Sequence, residues 1–330
     1  MKIFSSDIAE ITNAKLIGPP DLQVTEVVTD SRQLSYTEGL VFFALVGKNH
    51  DGHLFIDNLY RKGIRIFVVE KLPDEPQRYN DAAFIITKNT IEALQQFATY
   101  KRKSFKSPVI AVTGSTGKTV VKEWLADVLG LTTSVIRSPK SYNSQIGVPL
   151  SVLKLDEKYK LAIFEAGISM PGEMERLRRI IDPEIGVITN IGDAHRENFI
   201  DNKTKASEKL KLFADASLLI YCSDQELIKS LILNDDNLRS KKLIDWSCEN
   251  TKARIFVKKT SMPGGRTSLQ MVFNGITNEF IIPFSDRGAV ENAITVAAVC
   301  LALGTTEDII ARGLSVLVSV AIGMEMKSVR

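Results

Sequence analysis

Residues Val109 to Val120 read VIAVTGSTGKTV, an apolar run that passes into a glycine-rich loop and then into a helical pattern. A strand, a loop and a helix in this order form the context of a phosphate-binding loop. Its glycines allow backbone N–H groups to converge on phosphate oxygens, and the N-terminus of the following helix adds a favourable dipole. The usual pattern has a glycine where this chain has Val112, so the loop is a shortened variant. The alternative, a glycine-rich turn before an ordinary helix, is disfavoured by the strand and helix on either side.

The residues of this loop have separate expected roles in binding a nucleoside triphosphate. Lys118 is expected to bridge the β- and γ-phosphates, and the Thr119 hydroxyl is expected to ligate Mg²⁺. The predicted nucleotide-binding residues of the loop are Gly114, Ser115, Thr116, Gly117, Lys118 and Thr119. The loop predicts binding of a nucleotide, but it does not specify the reaction.

Outward from the loop, apolar runs alternate with amphipathic stretches in a regular order. Apolar runs separated by helices indicate an α/β domain with a mostly parallel sheet covered on both faces. The predicted strands are Pro108–Thr113, Leu161–Glu165, Ile185–Thr189 and Leu218–Cys222. The predicted helices are Lys118–Leu129, Gly172–Ile181, Lys203–Ala214 and Gln225–Leu233. A β-rich stretch at 255–283 and helices at 289–303 and 306–314 are predicted to close the domain.

The first hundred residues predict a small mixed α/β domain. Strands are expected at 41–46, 64–69 and 83–87, and helices at 55–62 and 90–102. The basic, proline-closed stretch KRKSFKSP at 101–108 predicts a linker. The predicted domains are therefore residues 1–106 and 107–316. Residues 317–330 are interpreted as a connection, with a strand-like alternation at 318–327.

Composition and charge exclude several classes of protein. The 330-residue chain is 44% hydrophobic and 25% charged, which is typical of a globular protein with a substantial core. Its 42 basic and 39 acidic residues leave a formal charge of +3, which gives no support for binding to nucleic acid or a membrane surface. The three cysteines are scattered and favour a reduced, cytoplasmic protein over a disulfide scaffold or zinc site. Neither a signal peptide nor a membrane span is predicted.

Two polar groups follow later predicted strands. Glu165 ends the run IFE, and His195 closes the segment TNIGDAH. In an open α/β sheet, the carboxyl ends of the strands form the edge where ligands bind. Taken alone, Glu165 is equally well explained as a capping or ion-paired group, and His195 as a surface histidine. Together with Thr119, the two residues favour a site for one or two Mg²⁺ ions.

Several segments now resemble a known family. TGSTGKT at 113–119, SYNSQIGVPLSVL at 141–153, FEAGISMPGEM at 164–174 and ITNIGDAH at 188–195 are similar to the central domain of the Mur ligases. Residues 29–32 (TDSR), 42–47 (FFALVG) and 51–53 (DGH) resemble the UDP-sugar-binding N-terminal domain of the MurE and MurF types. The TGS loop, VKE at 121–123 and the E-x-G…PGE pattern of 165–173 resemble the MurF type in particular.

The resemblance implies an enzyme of peptidoglycan synthesis in the cell wall. It implies an ATP-dependent ligase that joins D-Ala-D-Ala to UDP-MurNAc-tripeptide through an acyl phosphate, with two Mg²⁺ ions. Lys118, Glu165, His195 and Lys209 are the implied catalytic residues, and the implied metal ligands are Thr119, Glu165, His195 and a carbamylated Lys209. Asn292 is implied to lie near adenine, while Ser31, Arg32 and Asn143 are implied to contact substrate. The alternative for Lys209 is a solvent-facing lysine of a charged helix.

The chain also departs from the family pattern. Gly288 and Ala289 stand where the family has His-Asn, so adenine recognition is left open, and Lys211 stands where a glutamate is usual. The sequence ends where the third, amine-binding domain of the family is expected to begin, so only the N-terminal and central domains are expected here. Two alternatives remain: a sister ligase of the MurE or folylpolyglutamate-synthase type, or a nucleotide- and UDP-sugar-binding fragment without full activity. The segments FEAGIS at 164–169 and NIGDAH at 190–195 resemble the ligase half of fusions with a C-terminal alanine racemase, although no racemase sequence is present.

Overall fold

The computed structural model describes residues 2–30, 32, 34, 36–47, 50–192 and 199–318. The chain divides into two compact units. The first comprises Met1–Ser104 with Val152–Lys154, and the second comprises Phe105–Ser151 with Leu155–Arg330. Within the described ranges, no helix is both long and apolar enough to cross a membrane.

The first unit is a small α/β fold built on a five-stranded sheet in the order β2-β9-β8-β5-β4. All neighbouring strands of this sheet are parallel except β2 and β9, which are antiparallel. Its strands are β1 (Ile3–Phe4), β2 (Lys15–Ile17), β3 (Gln23–Val24), β4 (Glu26–Val28), β5 (Leu40–Phe43), β6 (Val46–Gly47), β7 (His50–Asp51), β8 (Ile66–Val69) and β9 (Ala83–Ile86). Its helices are α1 (Ser5–Ile11), α2 (Ile56–Arg61) and α3 (Thr90–Ser104). The aromatic residues Phe42, Phe67 and Phe84 pack together in its core.

The predicted linker is partly wrong, because α3 continues as a helix to Ser104. Lysine and arginine are good helix formers, and in the last turn their charges interact favourably with the helix dipole. Lys101, Arg102 and Lys103 occupy that turn. The basic run therefore extends the helix, and the chain passes to the second unit only after it.

The second unit is built on a sheet whose described strands follow the order β11-β12-β10-β13-β14-β15-β16-β17-β18. Pairing is parallel from β11 to β16 and antiparallel from β16 to β18. The strands are β10 (Val109–Thr113), β11 (Val135–Arg137), β12 (Leu161–Glu165), β13 (Ile185–Ile188), β14 (Leu218–Cys222), β15 (Lys242–Ser247), β16 (Ile255–Met262), β17 (Arg266–Phe273) and β18 (Ile276–Ile282). The helices are α4 (Lys118–Leu129), α5 (Gly147–Val152), α6 (Glu173–Ile181), α7 (Asn202–Leu210), α8 (Glu226–Asn234), α9 (Asp236–Arg239), α10 (Arg287–Ala302) and α11 (Glu307–Ser315).

The strand order places β10 between β12 and β13. After β10, the chain passes through the glycine-rich loop and α4 to β11 and β12 on one side of β10. It then crosses to β13 on the other side. This is the topological switch point of a doubly wound sheet, where a crevice opens at the carboxyl ends of the strands. In the pairing register, Val112 lies opposite Glu165 and Thr113 opposite Ile188. The loop after β10, the Glu165 carboxylate and the segment after β13 therefore meet at one edge.

The predicted α/β fold with a mostly parallel sheet is confirmed, and β12, β14 and α4 have the predicted bounds. The β-rich stretch forms the three antiparallel strands β16, β17 and β18. The helix predicted at 203–214 is shorter, because α7 ends at Leu210 and a 3₁₀ turn follows at Lys211–Phe213. The strand predicted at 318–327 lies, except for Val318, outside the described residues.

Candidate functional site

The loop after β10 has a backbone conformation that requires glycine. Gly114 has φ +147° and Gly117 has φ +79°, both in the region that L-residues with side chains rarely adopt. A Cβ atom on Gly114 would lie 2.0 Å from Thr189 Oγ1, and one on Gly117 would lie 2.3 Å from Asn292 Oδ1. Both the dihedral angle and the space therefore exclude side chains at these two positions.

The segment after β13 holds the loop in place through hydrogen bonds. The Ser115 N–H donates to the Asn190 carbonyl at 2.7 Å, and the Thr116 N–H donates to Asn190 Oδ1 at 3.0 Å. The Thr189 hydroxyl donates to the Thr116 carbonyl at 2.6 Å, and the Gly192 N–H donates to Ser115 Oγ at 2.9 Å. Hydrogen bonds from neighbouring protein groups therefore fix the conformation of the loop before any ligand binds.

Lys118 is the first residue of α4, and its Nζ donates to the Ser115 carbonyl at 2.9 Å. Burial lowers the pKa of Lys118 below its usual range, while the negative charge of Glu165 opposes this shift. A desolvated ammonium at the N-terminus of a helix attracts anions strongly, since water does not screen it. This geometry suits the phosphate contact that the sequence predicts.

Glu165 ends β12 and is only 1% exposed. Its two carboxylate oxygens have different partners: Thr119 Oγ1 donates to Oε2 at 2.8 Å, and Asn143 Nδ2 donates to Oε1 at 2.6 Å. The Ser141 hydroxyl lies 3.5 Å from Thr119 Oγ1. The structure therefore brings together three of the residues singled out in the sequence, Thr119, Asn143 and Glu165.

The donor atoms at this point fit a hard divalent cation. Mg²⁺ binds oxygen ligands at about 2.1 Å in octahedral geometry, so two adjacent ligands lie about 3 Å apart. The hydroxyl of Thr119 and the carboxylate of Glu165 have that separation. No cluster of three or more His, Cys, Asp or Glu side chains forms a metal site among the residues the structure describes. His195, the other predicted ligand, lies outside them.

Lys209 lies on α7 and is 3% exposed, so it is not a solvent-facing lysine. Its Nζ donates to the carbonyl of Gly114, the first residue of the glycine-rich loop, at 3.0 Å. Burial, and then the positive charges of Lys118 and Lys205, lower the pKa of Lys209 to about 7. A buried amine with this pKa is about half neutral at pH 7 and mostly neutral above it, and a neutral amine is nucleophilic.

Some of these groups line a cavity of about 290 Å³. Lys118, Asn143 and Lys209 contribute to its wall, together with Gly167 and Glu173. The cavity therefore combines two desolvated lysines with the amide that holds Glu165. Such convergence of perturbed titratable groups in a cleft is typical of an active site.

The remaining predicted site residues are not among those that line this cavity. Asn292, on α10, lies against Gly117 of the glycine-rich loop. Ser31 lies outside the described residues. Arg32 belongs to the first unit, is exposed, and forms a bidentate pair with Asp30 in which the closest distance is 2.7 Å. The Arg32 side chain holds the pKa of Asp30 at about 2.

The DGH motif of the first unit forms a partly buried hydrogen-bond network. His53 Nε2 accepts from the Glu70 N–H at 2.9 Å, so the proton of the neutral ring is on Nδ1, which lies 2.6 Å from Asp51 Oδ1. Glu70 in turn accepts from the Thr90 N–H at 3.0 Å. The motif therefore joins β7, β8 and α3, which makes it a structural element of this unit.

Sequence reasoning missed several residues that shape the site. Lys122 and Lys205 are buried lysines, and Glu208 is a buried acid that accepts from the Gly172 N–H at 2.7 Å and pairs with Lys211. In sequence they read as members of charged amphipathic helices, and only the packing of α4 and α7 shows that they are buried. The VKE segment at 121–123 drew attention to Lys122 as part of the family resemblance. The burial of this lysine is visible only in the structure.

Comparisons with known proteins agree with this geometry. A family model described as "Mur ligase middle domain" matches residues 112–300, and one described as "Mur ligase family, catalytic domain" matches residues 23–102. A protein of Bacillus subtilis (strain 168) named UDP-N-acetylmuramoyl-tripeptide–D-alanyl-D-alanine ligase is 29% identical over 319 residues. The alignment covers 94% of this chain and 66% of that relative, so the chain spans about two thirds of its length.

Solved structures show the same fold. MurF from Acinetobacter baumannii superposes with a TM-score of 0.87 at 23% identity, covering 97% of this chain and 69% of that one. MurF from Thermotoga maritima, solved in complex with ADP, has a TM-score of 0.78 at 25% identity and covers 90% of this chain and 67% of that one. Because the middle-domain model alone matches more than half of the residues and both units match in order, the chain belongs to the Mur ligase family.

Proposed function

We propose that this chain binds ATP and UDP-MurNAc-tripeptide as the two substrate-activating domains of a ligase that adds D-Ala-D-Ala in peptidoglycan precursor synthesis. The observation that carries this proposal is the convergence of Lys118, Lys209 and the Thr119–Glu165–Asn143 group on one edge of the sheet. The names of the relatives support the substrate assignment, since the matched ligase of Bacillus subtilis acts on the UDP-N-acetylmuramoyl tripeptide.

The nucleotide phosphates are proposed to bind at the glycine-rich loop. Backbone N–H groups of the loop and of the N-terminus of α4 would donate hydrogen bonds to the phosphate oxygens, with Lys118 between the β- and γ-phosphates. Asn292 is proposed to lie toward the nucleoside, because it lies against Gly117 of the glycine-rich loop and is not among the residues that line the cavity. Gly288 and Ala289, which replace a histidine and an asparagine of the family, leave Asn292 as the remaining amide of that segment.

Mg²⁺ is proposed to bind Thr119, Glu165 and His195, with a carbamate on Lys209 reaching a second ion. Bound there, Mg²⁺ would neutralise charge on the transferring phosphoryl group. Lys209 is suited to carbamylation because its neutral amine can attack CO₂ and release one proton, giving an anion. Carbamylation would also remove the repulsion between Lys209 and the two neighbouring lysines that lower its pKa.

The reaction is proposed to occur in two steps. The terminal carboxylate oxygen of the tripeptide forms a bond to the γ-phosphorus as the bond to ADP breaks, giving an acyl phosphate. The amine of D-Ala-D-Ala then attacks the acyl carbon, loses a proton, and displaces inorganic phosphate. Two anions must meet in the first step, so the ammonium of Lys118 has to reduce their repulsion in a water-poor cavity. Asn143 fixes Glu165, so its carboxylate does not turn toward the approaching substrate.

The first unit is proposed to bind the UDP moiety through Ser31 and Arg32. The Arg32 guanidinium is exposed and presents a planar fork of donors that matches phosphate as well as carboxylate. A diphosphate would replace Asp30 as the partner of the Arg32 guanidinium. Because the Arg32–Asp30 pair is exposed, breaking it would cost little free energy.

Calorimetry on the 330-residue chain tests the proposal. UDP-MurNAc-tripeptide and UDP-MurNAc-dipeptide are titrated in turn, with a non-hydrolysable ATP analogue and Mg²⁺ present. We expect tighter binding of the tripeptide, and Lys118→Ala is expected to abolish binding of the analogue. Equal or reversed preference would favour a ligase of the MurE type instead. Binding of the analogue with neither sugar peptide bound would reduce the assignment to a nucleotide-binding module.

A further inference from the structure

Lys122 is a fully buried lysine that the proposed reaction does not use. It lies on α4 one turn after Lys118, and its side chain has 0% exposure. Its ammonium donates to the carbonyl of Ser138 at 2.8 Å and to the carbonyl of Lys140, and it pairs with the Glu123 carboxylate at 2.9 Å. A lysine ammonium has three N–H donors, and here each has a partner.

The two carbonyls belong to the loop that follows β11, residues 138–143. This loop has strained geometry at Lys140, whose φ of +47° is left-handed in a residue with a long side chain. The Lys122 ammonium binds the carbonyls of the two residues that flank Pro139. A desolvated ion–dipole contact of this kind stabilises a backbone conformation that the loop sequence alone does not favour.

Both ends of the same loop contact Glu165. At one end, the Glu165 N–H donates to Ser138 Oγ at 3.2 Å. At the other end, Asn143 Nδ2 donates to the Glu165 carboxylate at 2.6 Å, and the Asn143 carbonyl accepts from the Gly167 N–H at 2.8 Å. The loop also carries Ser141, whose hydroxyl lies 3.5 Å from Thr119 Oγ1. The shape of the loop therefore determines where the Glu165 carboxylate points.

We propose that Lys122 is a positioning residue, which holds the 138–143 loop so that Asn143 and Ser138 orient Glu165 toward Thr119. The inference rests on the proposed function, because it assigns Glu165 and Thr119 to Mg²⁺. Lys122 itself touches neither nucleotide nor metal and acts through the loop. Glu123 completes the arrangement, since it pairs with Lys122 and also with Arg137 at the end of β11.

The test compares binding of a non-hydrolysable ATP analogue with and without Mg²⁺. Lys122→Met keeps the length and apolar stem of the side chain but removes the ammonium. Without Mg²⁺, affinity depends on the glycine-rich loop and Lys118, so we expect a change of less than about twofold. The Mg²⁺-dependent gain in affinity should fall by about tenfold, the effect typical of losing an outer-shell partner of a metal ligand. Lys160→Met is the matched control, because Lys160 is exposed and its ammonium donates to the Glu157 carbonyl at 3.4 Å, a long surface contact.

Ser138→Ala is a second variant that leaves the buried ammonium paired and removes only the hydroxyl that binds the Glu165 N–H. It should reduce the Mg²⁺-dependent gain as well, and it decides the question if Lys122→Met does not fold. An unchanged gain in the folded variants would overturn the positioning role. An equal loss of affinity with and without Mg²⁺ would also overturn it, since that pattern indicates a general structural defect. If the unaltered chain shows no Mg²⁺-dependent gain, the proposed function fails first, and this inference fails with it.

Discussion

Lys209 offers the sharpest chemical prediction, because its protonation state decides whether it can react with CO₂. Its pKa is lowered from 10.5 to about 7, first by burial and then by Lys118 and Lys205. At pH 7 about half of the Lys209 side chains are therefore neutral, compared with roughly one in 3,000 for a lysine of ordinary pKa. The concentration of reactive amine at this position is raised by about a thousandfold over that of an exposed lysine.

The direction of the pH dependence follows from two protons. Lowering the pH through about 7 protonates the Lys209 amine in the folded protein. Carbamate formation also releases a proton, so the equilibrium itself shifts toward free amine as the pH falls. At fixed dissolved CO₂, we expect carbamate on Lys209 to fall by at least about tenfold between pH 8 and pH 6.

The assay is carbon-13 NMR of the chain in ¹³C-labelled bicarbonate, in which a carbamate carbonyl is resolved from bicarbonate. One resonance should disappear in Lys209→Met. Lys205→Met should weaken it at pH 7, because removing that buried cation raises the pKa of Lys209 and destabilises the carbamate anion. Lys203→Met is the control, since Lys203 is exposed on the same helix. Absence of any Lys209-dependent resonance at pH 8 would refute the reasoning.

Two backbone and core substitutions give further predictions. Gly117→Ala should weaken binding of the ATP analogue by at least about tenfold. The new Cβ would clash with the Asn292 side chain, and the left-handed backbone would add a strain of about 1–2 kcal/mol. Gly172→Ala, with φ +83° and nothing within 4 Å, should leave calorimetric affinity within about twofold, and an equal loss would contradict the steric argument. His53→Leu should cost about 1–3 kcal/mol in urea unfolding, because the Glu70 N–H loses its acceptor. His50→Leu, at an exposed position, should not lower the stability in the same way. Similar urea midpoints for the two variants would contradict a structural role for the His53 hydrogen-bond network.

The central strands were predictable because their physical signal is simple. β10, β12, β13 and β14 are buried on both faces, so their residues are apolar apart from Thr113 and Glu165 at two of the carboxyl ends, and the runs stand out from the helices between them. β15 was missed because its residues Lys242–Ser247 mix charged and apolar side chains, although it pairs in parallel with β14 and β16. α5 was missed because Gly147 and Pro149 lie within it, and both residues disfavour helix interiors.

The sequence motifs predicted which residues of the site bind phosphate or metal, but not how the other residues are buried around them. Glycines, a lysine and a threonine between a strand and a helix predict a phosphate loop, and a carboxylate at a neighbouring strand end predicts a ligand edge. Burial of Lys205 and Lys209 was not predictable from local sequence, since KTKASEKLKLF has the composition of a solvated helix. Their burial depends on where α7 lies relative to the loop after β10, which is a long-range property of the fold.

The two cavity lysines acquire different charges from similar surroundings. Both are desolvated and both donate to backbone carbonyls, yet Lys118 also lies near Glu165, whose negative charge favours the ammonium form, whereas Lys209 faces two other lysines. An incoming polyphosphate adds negative charge beside Lys118 and stabilises its ammonium further. The same cluster of positive charge favours a neutral Lys209 and, after reaction with CO₂, an anionic one. The position of the Glu165 carboxylate, near Lys118, thus helps to give two buried lysines different preferred charges.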